Sequence, residues 1–364
     1  MGHRPILRVL FICRGSSAHG LGHVLRARTV ARLLGRRAAV RLVVLGDAYV
    51  DALLAGRGLP YDIVADVEGV LAVHAACRPQ VVVLDLTEFP PAALEQLRRS
   101  ALVVSLSPIC NVLPQVDLIF HRTRHTGDDW NFADPAPEVR CGLAYAVIRE
   151  NCEKIPTEVY RQTLAQEPLS VMVSLGGTDA GNKTLQVLEA LQALPGRLLV
   201  WVLLGEGYAH SYQALADCAK GNPRHEVILA KTSDSMWRVM RTCAVAVVAG
   251  GTITYEAAFA GLPSINVFES GRSVFLVQEL LEKGACLSAG YPLVDALSVV
   301  NANLTHLAGA RDELLGMHLR ARELIDGQGA ARIAEEIEAF YWERFLPAHP
   351  ERVPAALSAW NRAA

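Results

Sequence analysis

Short apolar runs alternate with stretches of helical period along most of the chain. Within the first 125 residues, 7–13, 40–45, 81–86, 102–106 and 118–121 read as buried strands, and 23–34, 49–55 and 91–99 as helices. Strands that are apolar at nearly every position and joined by helical crossovers predict a parallel sheet covered on both faces. The rhythm breaks over 126–168, where Gly127, Asp128, Asp129, Asn131, Asp134, Pro135, Pro137 and Pro156 mark loops. It resumes with strands at 169–175, 198–204, 227–229, 244–248 and 265–268, separated by helices at 184–194, 212–219, 236–242, 255–260 and 276–283. From about residue 290 the pattern is helical only, closing with 330–345 and a Pro-containing tail from Pro347.

This pattern predicts an α/β chain of two doubly wound domains. The first covers 1–130, a passage follows over 131–168, the second domain covers 169–329, and a helix and tail occupy 330–364. The two halves are expected to face a cleft at the carboxyl ends of their strands, where such sheets bind ligands. Composition agrees, since 364 residues, 51% of them apolar and 20% charged, suffice for two cores. A net charge of −2 supplies no basic field of the kind that nucleic acid requires, so no nucleic-acid partner is expected. The eight cysteines, Cys13, Cys77, Cys110, Cys141, Cys152, Cys218, Cys243 and Cys286, form no CxxC pair and no zinc frame, and read as reduced thiols. The apolar stretch 6–13 is interrupted by Arg8 and too short for a signal segment, and no eighteen apolar residues run together. A cytoplasmic protein with no membrane span is expected.

Candidate chemistry gathers at glycine-rich strand-to-helix turns. Arg14-Gly15-Ser16-Ser17-Ala18-His19-Gly20-Leu21-Gly22-His23 follows the first strand, Ser174-Leu175-Gly176-Gly177-Thr178-Asp179-Ala180-Gly181-Asn182 the first strand of the second half, and Gly250-Gly251-Thr252-Ile253-Thr254-Tyr255-Glu256 a later one. Small residues there let the backbone approach a phosphate, and a helix start offers N–H groups and a positive dipole end. Gly177, Thr178, Asn182, Gly250, Gly251 and Thr252 are therefore candidate nucleotide contacts, and Glu256 could accept hydrogen bonds from both ribose hydroxyls. The plain alternative is that Gly-Gly makes a tight turn and Glu256 is a solvated helix residue. His23, directly after Gly22 at a helix start, sits where the dipole favours the neutral imidazole that a general base needs; capping or packing is its structural alternative. Arg26, one turn on, could meet a donor phosphate or carboxylate, or lie on the surface. His121, Arg122, Arg124 and His125 form either a solvated basic loop or a reader of an acidic sugar substituent. Asp85, Glu88, Ser105 and Ser107 lie at strand ends, but Asp85 and Glu88 are not spaced as an acid–base pair.

These residues resemble the UDP-sugar hydrolases of bacterial pseudaminic acid biosynthesis and, more widely, the GT-B glycosyltransferases with two Rossmann-type domains. The resemblance lies in Gly20-Leu21-Gly22-His23-Val24-Leu25-Arg26, in the block from Val139 to Arg149, in Gly176-Gly177-Thr178-Asp179 with Asn182, in Gly250-Gly251-Thr252 with Glu256 through Gly261-Leu262-Pro263, and in Asp326-Gly327-Gln328-Gly329-Ala330. It implies a UDP-sugar held mainly by the second domain, His23 as the base that activates the nucleophile, and no metal or other cofactor. Three departures fall in the first domain: Arg14-Gly15-Ser16 lacks the family's aspartate, Asp85-Leu86-Thr87 replaces Asp-His-Tyr, and Leu106-Ser107 replaces Asp-Asp. They imply a different sugar or acceptor with the anomeric chemistry retained. The resulting expectation is a transferase moving sugar from a UDP-sugar to a small polar acceptor. A uronate donor and a pyrimidine acceptor, as in cytosylglucuronate synthases of nucleoside antibiotic pathways, form one specific version. A UDP-sugar hydrolase and a non-catalytic UDP-sugar-binding protein are the alternatives.

Overall fold

The computed structural model describes residues 5–352 apart from 17–18, 57, 128–129, 131, 135, 206, 222–223, 232–235 and 269. Ser17 and Ala18 of the first turn, the loop markers Asp128, Asp129, Asn131 and Pro135, and the tail beyond 352 thus lie outside the described residues. The chain forms two compact units, one running to Val147 and taken up again from Gln328, the other Ile148–Gly327.

In the first unit the elements follow as β1 (Arg8–Arg14), α1 (Gly22–Leu34), β2 (Ala39–Leu45), α2 (Ala48–Leu54), β3 (Tyr61–Val64), α3 (Val67–Cys77), β4 (Val81–Asp85), α4 (Pro91–Arg98), β5 (Leu102–Ser105), β6 (Leu118–His121) and β7 (Glu138–Cys141). Their sheet is parallel with order β3-β2-β1-β4-β5-β6-β7. Alternate residues of β1 serve opposite faces, as the strand period requires. Val9, Phe11 and Cys13 join Val24, Ala27 and Ala31 of α1 in one core, whereas Leu10 and Ile12 join Val70 of α3 and Leu94 and Leu97 of α4 in the other. Each fully buried Val, Leu, Ile or Phe among them contributes about 1.5–3 kcal/mol, which is why these strands read as unbroken apolar runs.

The second unit contains α5 (Thr157–Leu164), β8 (Leu169–Ser174), α6 (Lys183–Leu191), β9 (Leu198–Leu204), α7 (Tyr212–Gly221), β10 (Glu226–Lys231), α8 (Met236–Met240), β11 (Val245–Ala249), α9 (Thr252–Ala260), β12 (Ser264–Val267), α10 (Gln278–Glu282), β13 (Cys286–Gly290), α11 (Leu293–Gly309) and α12 (Arg311–Leu324). Its parallel sheet has the order β10-β9-β8-β11-β12-β13. The chain then returns as α13 (Gly329–Phe340) to the first unit, where Ile333, Ala334 and Ile337 complete the core over α1.

Both sheets are doubly wound, and both reverse direction of growth at their first strand: between β1 and β4 in one unit, between β8 and β11 in the other. The crevice outside the carboxyl ends of the strands at such a reversal is where α/β sheets take ligands. The stretch 131–168, set apart as a passage on its loop residues, supplies β7 to the first sheet and α5 to the second unit, and the chain crosses between units at Val147/Ile148. Proline and glycine mark turns; they do not say which sheet a short neighbouring strand joins. Among the described residues no helix is long and apolar enough to cross a membrane. All eight cysteines are free thiols, five of them buried.

Candidate active site

β1 and β4 are neighbours with Cys13 opposite Asp85, so the first reversal point brings the loop after β1 beside the last residue of β4. That loop is tight: Gly20, at φ 77°, returns its N–H to the Ser16 carbonyl at 3.0 Å, and a Cβ on Gly15 would run into Val24. α1 begins at Gly22, and His23 lies in its first turn. His23 Nδ1 donates to Asp85 Oδ1 at 2.6 Å, which assigns the ring proton to Nδ1 and leaves Nε2 as the acceptor. The imidazole is 27% exposed and the carboxylate is closed to solvent.

Arg26, three residues on, is also buried, and its Nε reaches Asp85 Oδ2 at 2.8 Å while Nη2 bonds Oδ1. Arg26, for which a donor contact is expected, is thus bound to Asp85, because a carboxylate this deep needs a permanent counter-charge. Burial alone pushes the Asp85 carboxyl up; the charges of Arg26 and His23 and their hydrogen bonds outweigh it and hold the group below its ordinary value. The flanking thiols stay protonated: burial, with Asp85 adding to it, pushes Cys13 well up, and burial pushes Cys110 up to about 11. His121 is equally closed to solvent, its Nε2 2.6 Å from the His125 carbonyl, and burial drives its imidazole down to about 4. It is no cation at neutral pH, so the positive charge of the loop rests on Arg122 and Arg124.

In the second unit the two glycine turns flank the reversal between β8 and β11 and differ in what occupies them. After β8, Gly176 and Gly177 are exposed and Thr178 half-buried, while Asp179 and Asn182 take left-handed φ of 46° and 48°, a conformation these two residue types tolerate. The Asp179 carboxylate accepts from Lys183 N at 2.9 Å and Thr184 N at 2.8 Å, so the start of α6 is capped by the chain's own anion. Asn182 Oδ1 accepts from the Tyr208 hydroxyl at 2.8 Å. A phosphate at α6, the expected role of Gly177, Thr178 and Asn182, would meet the Asp179 charge.

The start of α9 has no side-chain cap. Gly250 is required by packing, because a Cβ there would run into the Phe268 ring, whereas a Cβ on Gly251 would meet nothing within 4 Å. Gly251 and Thr252 therefore front an open, positively polarised helix end. Glu256 is not the solvated helix residue of the plain sequence reading. Its carboxylate is 1% exposed and is gripped by Arg149, Nε to Oε1 and Nη2 to Oε2, each at 2.6 Å. Asp85 and Arg149 are the partners of His23 and Glu256 that the sequence does not disclose. A carboxylate closing an apolar strand beside the reversal point is a usable signal for Asp85, and Arg149 ends the block from Val139 that carries the family resemblance.

No family model matches the chain. Among curated proteins it is similar to the spore coat polysaccharide biosynthesis protein SpsG of Bacillus subtilis, 23% identical over 180 residues, covering 49% of this chain and 52% of that one. The chain spans about half the length of the curated relatives it matches. Among solved structures it resembles MurG of Acinetobacter baumannii, with a TM-score of 0.61 and 14% identity over 91% of this chain and 99% of that one. It also resembles HepE of Anabaena in complex with UDP-glucose, with a TM-score of 0.60 and 13% identity over 91% and 99%. At such identities the likeness is one of fold: two doubly wound α/β domains of the GT-B type.

Proposed function

We propose that this protein transfers a sugar from a UDP-sugar to a small polar acceptor, with His23 as general base. The observation that carries the reading is the His23–Asp85 pair: a carboxylate on Nδ1 leaves Nε2 to take a proton and stabilises the imidazolium that forms. In the step proposed, the acceptor O–H or N–H gives its proton to Nε2 as the acceptor's oxygen or nitrogen bonds the anomeric carbon. The bond from that carbon to the diphosphate oxygen breaks, and its electron pair leaves with UDP. The uncapped start of α9, with Gly250, Gly251 and Thr252, would take the diphosphate as its charge develops. Support for the nucleotide comes from HepE, a neighbour in fold solved with UDP-glucose, and support for sugar chemistry from the polysaccharide role in the name of SpsG. The narrower version with a uronate donor rests on Arg122, Arg124 and His125 alone, since His121 is buried and neutral.

The test is UDP release from a panel of UDP-sugars, with and without a pool of small hydroxylated and amino acceptors. Release that depends on the pool supports the transferase. Equal release without it makes water the nucleophile and the protein a hydrolase; UDP binding without release under either condition makes it a binding protein.

A further inference from the structure

Arg14 closes β1 at the first reversal point, one residue beyond Cys13, which lies opposite Asp85. Strand alternation sends it to the face of Leu10 and Ile12, across the strand ends from Cys13 and from the His23–Asp85 pair. The residue is half-buried, its Nε is closed to solvent, and its guanidinium makes no hydrogen bond or ion pair among the described residues. The neighbouring strands bring carboxylates to the same end, but each is committed. Asp47, beyond β2, caps α2 by accepting from Tyr49 N at 3.2 Å, and Asp66, beyond β3, caps α3 by accepting from Gly69 N at 2.9 Å. Asp85, the end of β4, holds Arg26 and His23, and Glu88 stands in solvent. The aspartate that the family pattern places two residues beyond this arginine is Ser16 here. Gly15 N bonds the Leu45 carbonyl at 3.1 Å, and a Cβ on Gly46 would run into the Gly15 carbonyl, so the two turns meet as bare backbone beside Arg14. A half-buried guanidinium without an anion is costly, and its planar fork of N–H groups at the ligand end of a sheet suits a carboxylate or a phosphate.

We propose that Arg14 binds an anionic group, a carboxylate or a phosphate, on the acceptor, so that the acceptor lies across the strand ends with its nucleophile at His23 and its anion at Arg14. The inference rests on the transferase reading above and gives the acceptor a class: a hydroxy or amino compound that carries a negative charge away from the reacting atom. Arg14 serves binding alone, since a guanidinium keeps its protons throughout and cannot act as the base.

The acceptor pool, separated on an anion exchanger into retained and unretained fractions, decides it when each is added to the whole protein with the UDP-sugar panel and UDP release is followed. Stimulation of release is expected in the retained fraction. Treating that fraction with a phosphatase, removed before the assay, abolishes the effect where the anion is a phosphate and spares it where the anion is a carboxylate. Arg14→Gln is expected to need about tenfold to a hundredfold more of the retained fraction for the same release, the reach of a charge-assisted hydrogen bond, and Arg14→Lys, which keeps the charge, to recover part of the loss. Stimulation confined to the unretained fraction overturns the inference while leaving the transferase reading in place, and that comparison needs no variant. An unchanged response of Arg14→Gln to the retained fraction overturns it as well, as does a loss in that variant of UDP affinity in place of acceptor response. Release that neither fraction stimulates overturns the transferase reading and this inference with it.

Discussion

Asp85 ends an apolar strand, is closed to solvent and remains ionised, because Arg26 and His23 both bond its carboxylate. Its folded value lies below the unfolded one, so its contribution to stability is present above the ordinary carboxylate range and is lost as pH falls through the lowered folded value. His121 acts at higher pH. Burial moves it from 6.5 to about 4, so the unfolded chain binds the proton first. Its contribution is intact above about 6.5 and is lost toward pH 4, by up to about 3 kcal/mol. Denaturant unfolding between pH 7 and pH 4 is expected to show this loss, and His121→Gln to flatten it; an unchanged slope in the variant would place the titration elsewhere. His23 was legible as a site residue because it follows a glycine turn at a helix start. Its partner was not, since 62 positions separate His23 from Asp85 and only the strand order brings them together. Arg149 and Glu256 are hidden in the same way, 107 positions apart.

The start of α9 separates two uses of glycine. Gly250→Ala places a methyl against the Phe268 ring and is expected to cost about 1–3 kcal/mol, while Gly251→Ala points into open space and leaves stability near the parent value. Thermal unfolding of the two variants checks the contrast, and Gly251→Ala is expected to weaken UDP binding without it. Helix α13 is held by Glu336, which accepts from Arg140 Nε at 2.8 Å, and by packing: Ile337 is fully buried in the core over α1, and Ile337→Ala is expected to cost about 2–5 kcal/mol in a denaturant titration. Elements buried on both faces were plain in the sequence, β4 and β11 above all. β3 was not, because Tyr61–Val64 is four residues long and half-buried throughout, nor was β7, whose Glu138–Cys141 is polar at the sheet edge. Short strands of that kind take their structure from the neighbour they pair with.

Repetition made the architecture legible: two runs of alternating strands and helices give two parallel sheets, each reversing at its first strand. What the pattern could not carry is where the chain changes unit. The crossings fall at Val147/Ile148 and Gly327/Gln328, and 328–352 completes the first unit from the far end of the chain. The direct measurement is UDP release from a UDP-sugar panel in the presence of acceptors, made on the parent protein and on His23→Ala, with UDP affinity determined for both. The account predicts release that falls by about a hundredfold or more in the variant while UDP binds as before. Release at the parent rate from His23→Ala would contradict it.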